Sequence, residues 1–195
     1  MRHLILSAAA LLLGGASGIS FGYARWHGLF PGYVAHRALV INGQSPFVPD
    51  GSALALGDST VERVYTADLC GGMFNAAVGW ATTSDLIRTA PKLIAEVRPR
   101  LIVLDAGYND LSAGSSIEDL RARELKLVAM AGPTRLVMMG IPRHPDASRM
   151  VQAIAAEHHE QYIPPIEGAV LTVDGVHENR RGMEEWRRRV AAACR

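Results

Sequence analysis

From about Pro49 onward, apolar runs of strand length alternate with longer segments of helical period. This alternation constrains the fold more than any other feature. Strands separated by helices cannot close as hairpins, so they pair in parallel through crossovers. The predicted strands are residues 53–56, 74–78, 101–106, 136–141 and 170–173. The third is the clearest, lying between Pro99 and Gly107. The predicted helices are residues 60–69, 83–97, 117–131, 146–160 and 178–193. Pro91 is expected to kink or split the second helix, and Asp146 to cap the fourth. Runs that are continuously apolar suit strands covered on both faces. With right-handed crossovers, the expectation is an α/β domain with a doubly wound, mostly parallel sheet.

The rest of the chain bounds the setting. A length of 195 residues suits one domain with a sizeable core. A net charge of +1 gives no bulk electrostatic case for nucleic acid or an anionic surface. Residues 4–24 carry no charge and lie between Arg2-His3 and Arg25; several glycines dilute them. That pattern fits a signal peptide or a single-helix signal anchor over residues 1–24. Either reading exports the remainder, to a periplasmic or extracellular location, with the anchor holding it at a membrane. Residues 25–49, rich in Gly and Pro, read as a linker or irregular segment, and residues 50–195 as the folded domain. The two cysteines, Cys70 and Cys194, are either a disulfide of an exported protein or two buried thiols.

In an open parallel sheet, ligands bind outside the carboxyl ends of the strands. The predicted strand ends carry Gly57-Asp58-Ser59, Gly79, Gly107-Tyr108-Asn109-Asp110 and Asp174-Gly175-Val176-His177. A hydroxyl, a Gly amide, an Asn amide and an Asp/His pair are the parts of an acyl-transfer site. Each also has a plainer role. Ser59 suits an N-cap, Gly79 a turn of positive φ, Asn109 a turn, Asp174 a helix cap and His177 a solvent-facing histidine. Asp58 reads as a loop-fixing hydrogen bonder; Tyr108 and Asp110 read as structural.

These four segments, in this order, resemble the signature blocks of the SGNH, or GDSL-type, serine hydrolase family over residues 50–195. The resemblance implies a three-layer α/β/α sandwich of flavodoxin-like type. It implies Ser59 as nucleophile, His177 as base and Asp174 as its orienting acid. It implies an oxyanion hole from the N–H groups of Ser59 and Gly79 and the amide of Asn109. A strand order of 2-1-3 would bring Ser59 and Asn109 together. No metal or organic cofactor is implied. The implied activity is hydrolysis of small acyl esters, such as acetyl, of carbohydrate or lipid. An acyltransferase on the same site and a non-catalytic binding protein of the same fold are the alternatives.

Other residues invite weaker readings. Glu157-His158-His159-Glu160 looks like a metal motif, but adjacent helical histidines point to different faces, so a solvated face is preferred. His144 follows the fourth strand and either lines the substrate cleft or is a plain loop residue, and the loop reading is preferred. Arg180 and Arg181 belong to the last helix, and Arg187–Arg189 are expected to complement its dipole. Trp80 either floors an acyl pocket or packs in the core.

Overall fold

The computed structural model describes residues 32–194. The leader or anchor expected over residues 1–24 lies outside them. Among the described residues no helix is long and apolar enough to cross a membrane. Residues 32–44, expected to be irregular, are helical (α1). The sheet and the helices that follow lie within Arg37–Arg195.

The strands are β1 (Ala53–Gly57), β2 (Met73–Asn75), β3 (Leu101–Asp105), β4 (Arg135–Met139) and β5 (Gln161–Ile163). They form one sheet in the order β2-β1-β3-β4-β5, with every pair parallel. The helices are α2 (Ser59–Glu62), α3 (Thr83–Val97), α4 (Tyr108–Ser112), α5 (Ile117–Ala131), α6 (Pro145–Glu157) and α7 (Arg180–Ala193). All five residues of β1 and of β3 are buried, as continuous apolar runs require. Alternate residues serve opposite faces. Ala53, Ala55, Val103, Val137 and Met139 pack in one cluster with Trp186, Val190 and Ala193 of α7. Leu54, Ile102, Leu104, Leu136 and Met138, at the intervening positions, are also buried. On the helical layers α3 contacts α5, and α5 contacts α6.

Several element boundaries differ from expectation. The run 170–173 is not a strand: it belongs to a loop, Val170 and Val173 are exposed, and Thr172 makes only an isolated antiparallel bridge with Glu178. The fifth strand is Gln161–Ile163, a short edge strand with an exposed Gln161. The expected helix 60–69 is two pieces, α2 and a 3-10 turn at Leu69–Gly71. Pro91 does not split α3, which runs unbroken over Thr83–Val97. Pro91 sits on its exposed face, while Leu86, Ala90, Leu93 and Val97 bury the other. The fourth predicted helix is capped by His144, with Pro145 in its first turn, rather than by Asp146. The last is capped by Asn179, whose side chain accepts from the N–H groups of Arg181 and Gly182.

Cys70 and Cys194 form a disulfide with a Cα separation of 5.2 Å. It ties the 3-10 turn before β2 to the end of α7.

Candidate active site

The chain leaves β1 for β2 on one side and returns to β3 on the other, so the switch-point crevice opens between β1 and β3. Gly57 pairs with Asp105 at this rim. A side chain at Gly57 would meet the Asp105 carbonyl oxygen at 2.6 Å, so only glycine lets the two strand ends close up. The chain then turns sharply. Asp58, not Ser59, is the N-cap of α2: its carboxylate accepts from Thr60 N–H at 3.0 Å and from Thr60 Oγ1 at 2.9 Å. Ser59 becomes the first helical residue, half-buried, with its hydroxyl free of the capping task.

Ser59 Oγ lies 3.0 Å from His177 Nε2. His177 Nδ1 lies 2.7 Å from Asp174 Oδ2. These three residues come from opposite ends of the chain, 118 residues apart for the first contact. The loop that carries the pair is built by its own side chains. Asp174 Oδ1 accepts from the N–H groups of Val176 and His177 at 2.9 and 2.8 Å. Thr172 Oγ1 accepts from Gly175 N–H at 3.1 Å, and Gly175 adopts a φ of 88° that favours glycine. Thus Asp174 faces donors on both oxygens. The His177 hydrogen bond, reinforced by these backbone N–H groups, holds its carboxyl far below the usual carboxylate range. An ionised carboxylate on Nδ1 fixes the tautomer that leaves Nε2 bare toward Ser59.

The second strand delivers Gly79. Beyond β2, Ala76 and Val78 donate to the carbonyls of Ala55 and Gly57, so strand-like pairing runs on to the rim. Asn75 locks this segment to the turn that carries Ser59, donating to the carbonyls of Val61 and Val64 and accepting from Ala77 N–H. The positive φ of the turn falls on Trp80 (67°) rather than on Gly79. Among the described residues, the hydrogen-bond network leaves the N–H groups of Ser59 and Gly79 unused. Asn109 is the second residue of α4, which follows Gly107, whose φ is 109°. Its Nδ2 donates to the Ala81 carbonyl at 2.9 Å. An amide carries a second N–H, which this bond leaves available. Asp110 anchors the turn from behind: its carboxylate accepts from Thr83 N–H at 2.8 Å and Thr83 Oγ1 at 2.6 Å, and pairs with Arg123 at 3.2 Å.

A cleft of about 490 Å³ beside the Asp/His loop is lined by Arg143, Glu167, Thr172, Val173, Asp174 and Gly175. Trp80 is 59% exposed, which excludes the core reading. His144 sits against Tyr108, with ring centroids 5.6 Å apart. The Glu157–Glu160 segment serves the scaffold: Glu157 pairs with Arg121, and Glu160 accepts from Leu136 N–H. Among the described residues no cluster of His, Cys, Asp or Glu has metal-binding geometry. Arg187–Arg189 do not lie in the last turn of α7. Arg187 makes a bidentate pair with Asp68, and Arg188 and Arg189 share Glu185.

Sequence reasoning missed the buried carboxyl groups behind this rim. Asp105 and Glu178 are almost fully buried, as is Asp58. Burial, with the charge of Asp105 added, pushes the Asp58 carboxyl up to about 7. Burial raises Asp105 to about 6, and burial with the charge of Asp105 raises Glu178 to about 8. The signal was present in Asp105, a charged residue inside a run whose other members are apolar.

No family model and no curated protein matches the chain. Solved structures do. A Streptococcus pneumonia protein provisionally described as a platelet activating factor has a TM-score of 0.76 at 14% identity, over 90% of this chain and 99% of that one. A GDSL-like lipase from Bacteroides thetaiotaomicron has a TM-score of 0.67 at 13% identity, over 74% of this chain and 87% of its own. The psychrotrophic esterase EstA from Pseudoalteromonas, solved with monoethylphosphonate as inhibitor, has a TM-score of 0.56 at 17% identity, over 72% and 97%. The fold is therefore the α/β sandwich of GDSL-like lipases and SGNH esterases, with a five-stranded parallel sheet between helices.

Proposed function

We propose that the protein is a serine hydrolase of the SGNH type, cleaving carboxylic esters through an acyl-enzyme. The observation that carries this reading is the relay Ser59 Oγ–His177 Nε2–Asp174, at 3.0 and 2.7 Å, on the switch-point rim of an open parallel sheet. Its likeness to esterase and lipase structures supports the same class.

The chemistry follows from the roles. Ser59 attacks the ester carbonyl while its proton passes to His177 Nε2. Asp174 stays ionised and stabilises the imidazolium. The oxyanion of the tetrahedral intermediate receives hydrogen bonds from the N–H groups of Ser59 and Gly79 and from Asn109 Nδ2. His177 returns the proton to the leaving alkoxide, and a water repeats the sequence to release the acid. The connections between strands are short, which favours a small acyl group such as acetyl on a carbohydrate or lipid alcohol. Export suits the Cys70–Cys194 bridge, since disulfides persist in oxidising compartments.

A fluorophosphonate probe tests the central claim. Intact-mass analysis should show one adduct per chain on the wild type and none on Ser59→Ala. An unlabelled, correctly folded wild type would sink the reading. Nitrophenyl esters of graded chain length, beside acetylated sugars, then define the acyl and alcohol preference; turnover that rises with chain length past butyryl would overturn the short-acyl assignment.

A further inference from the structure

Behind Ser59, Thr60 Oγ1 contacts two buried carboxyl groups, Asp58 Oδ1 at 2.9 Å and Asp105 Oδ1 at 3.3 Å. A hydroxyl carries one proton. The shorter contact takes it, because Asp58 Oδ1 also accepts from Thr60 N–H. The longer contact is then a hydrogen bond only when Asp105 is the donor, which requires its carboxyl to be protonated. The other Asp105 oxygen, Oδ2, accepts from Trp186 Nε1 at 2.8 Å. Trp186 is completely buried in α7. The Asp105 main chain joins in, since its carbonyl accepts from Asp58 N–H at 3.2 Å. One residue of β3 thus holds both sides of the nucleophile turn.

We propose that Asp105, oriented by Trp186, is a positioning residue for Ser59: it donates as a neutral acid to Thr60 Oγ1 and so fixes the Asp58 cap that aims the nucleophile. The inference rests on Ser59 being the nucleophile. The ionisable groups facing Asp105 are Asp58 on the nucleophile turn, Glu178 ahead of α7 and Glu124 on α5. All are carboxyls. Arg63 offsets Glu178 and Arg123 offsets Glu124. Burial favours a retained proton on Asp105, and burial with the charge of Asp105 favours one on Asp58, so the pair keeps a proton between them. Glu178 Oε2, buried with no hydrogen-bond partner among the described residues, belongs to the same dry pocket.

An amide at position 105 would reproduce the neutral acid, with N–H toward Thr60 and oxygen toward Trp186. The test is the pH profile, from pH 5 to 9, of fluorophosphonate inactivation and of nitrophenyl acetate turnover. Wild-type activity should fall toward the alkaline end as the Asp58–Asp105 pair loses its proton. Asp105→Asn should keep kcat within about threefold at pH 6 and lose the falling limb. Asp105→Leu should lower kcat by about 10–100-fold at unchanged KM, the effect of one buried hydrogen bond. Trp186→Phe should lower it by about 10-fold at unchanged KM. Two outcomes overturn the proposal. One is an Asn variant as impaired as Leu, which would mean that a charged Asp105 is needed. The other is a set of variants that lose melting temperature but keep kcat and its pH profile, which would make the network merely structural. Should the Leu variant fail to fold, the Asn pH profile decides alone. A wild type that the probe labels on a residue other than Ser59, or not at all, refutes the hydrolase reading instead.

Discussion

Asp174 and Asp105 carry the same side chain, and both reach Ser59 through one intermediary, His177 for the first and Thr60 for the second. Their surroundings are opposite. Asp174 is 54% exposed and gathers hydrogen-bond donors on both oxygens. Asp105 is 6% exposed and is placed among other carboxyls. The first is held ionised, the second is pushed toward the neutral acid. Donor supply at Asp174 and burial at Asp105, more than nearness to Ser59, set the charge state of each. The Asp174–His177 side of the site is wet and held by its own loop, and the carboxyls behind Ser59 are dry and held by the sheet.

The sharpest break in this comparison comes from neutralising the wet carboxylate. Asp174→Asn should cut kcat by about 10³–10⁴, because the imidazole loses its orienting charge and tautomer. Steady-state kinetics on nitrophenyl acetate would show it, and a loss under tenfold would mean that the charge of Asp174 is not needed. On the dry side, Asn109→Ala should lower kcat by about 10²–10³ with KM little changed, as for loss of one oxyanion donor. A change confined to KM would remove Asn109 from the hole. The two sides should also answer pH in opposite directions. Asp58, Asp105, Glu124 and Glu178 have raised folded-state values, from about 6 to about 8. Their contribution to stability is fully present below the unfolded carboxylate pKa, about 4, and is lost as pH rises through those folded values. Asp174, with a lowered value, contributes above pH 4 and loses its share only in strong acid. Urea melts at pH 5 and pH 8.5 should differ by at least roughly 2–3 kcal/mol in favour of pH 5, the linkage that a single carboxyl shifted by about two units contributes by itself. Equal stability at both would mean that the dry carboxyls are not protonated. The smallest effect should come from Thr172→Val, which removes the hydroxyl that accepts from Gly175 N–H and donates to the Gly168 carbonyl. A loss of about 5–10-fold in kcat/KM is expected, with the melting temperature nearly unmoved; an unchanged kcat/KM would show that the loop does not need this brace.

How legible each part was follows the same division. β1, β3 and β4 announced themselves because fully buried parallel strands are written as apolar runs. The residues of the rim were readable as chemistry because a strand end limits where a side chain can act. The fifth strand was not readable. Gln161-Tyr162-Ile163 is three residues at a sheet edge, with one polar and one half-buried member. Val170-Leu171-Thr172-Val173 has better strand composition, yet it is held in a loop by the bonds that place Asp174 and His177. Propensity there lost to local side-chain bonding. The neutral-acid pocket was hidden for another reason. Nothing in a sequence says that Asp58, Asp105 and Glu178 meet, because two of them arrive from distant strands and loops.

The Cys70–Cys194 bridge changes the distance along the chain between Ser59 and His177. Ser59 and His177 are 118 residues apart by the peptide route. Through the bridge the path is about 28 residues, eleven to Cys70 and seventeen back from Cys194, which lowers the loop-closure cost of bringing them together by about 1 kcal/mol. In the oxidised chain the last step of assembling the relay is therefore a local search rather than a long-range one.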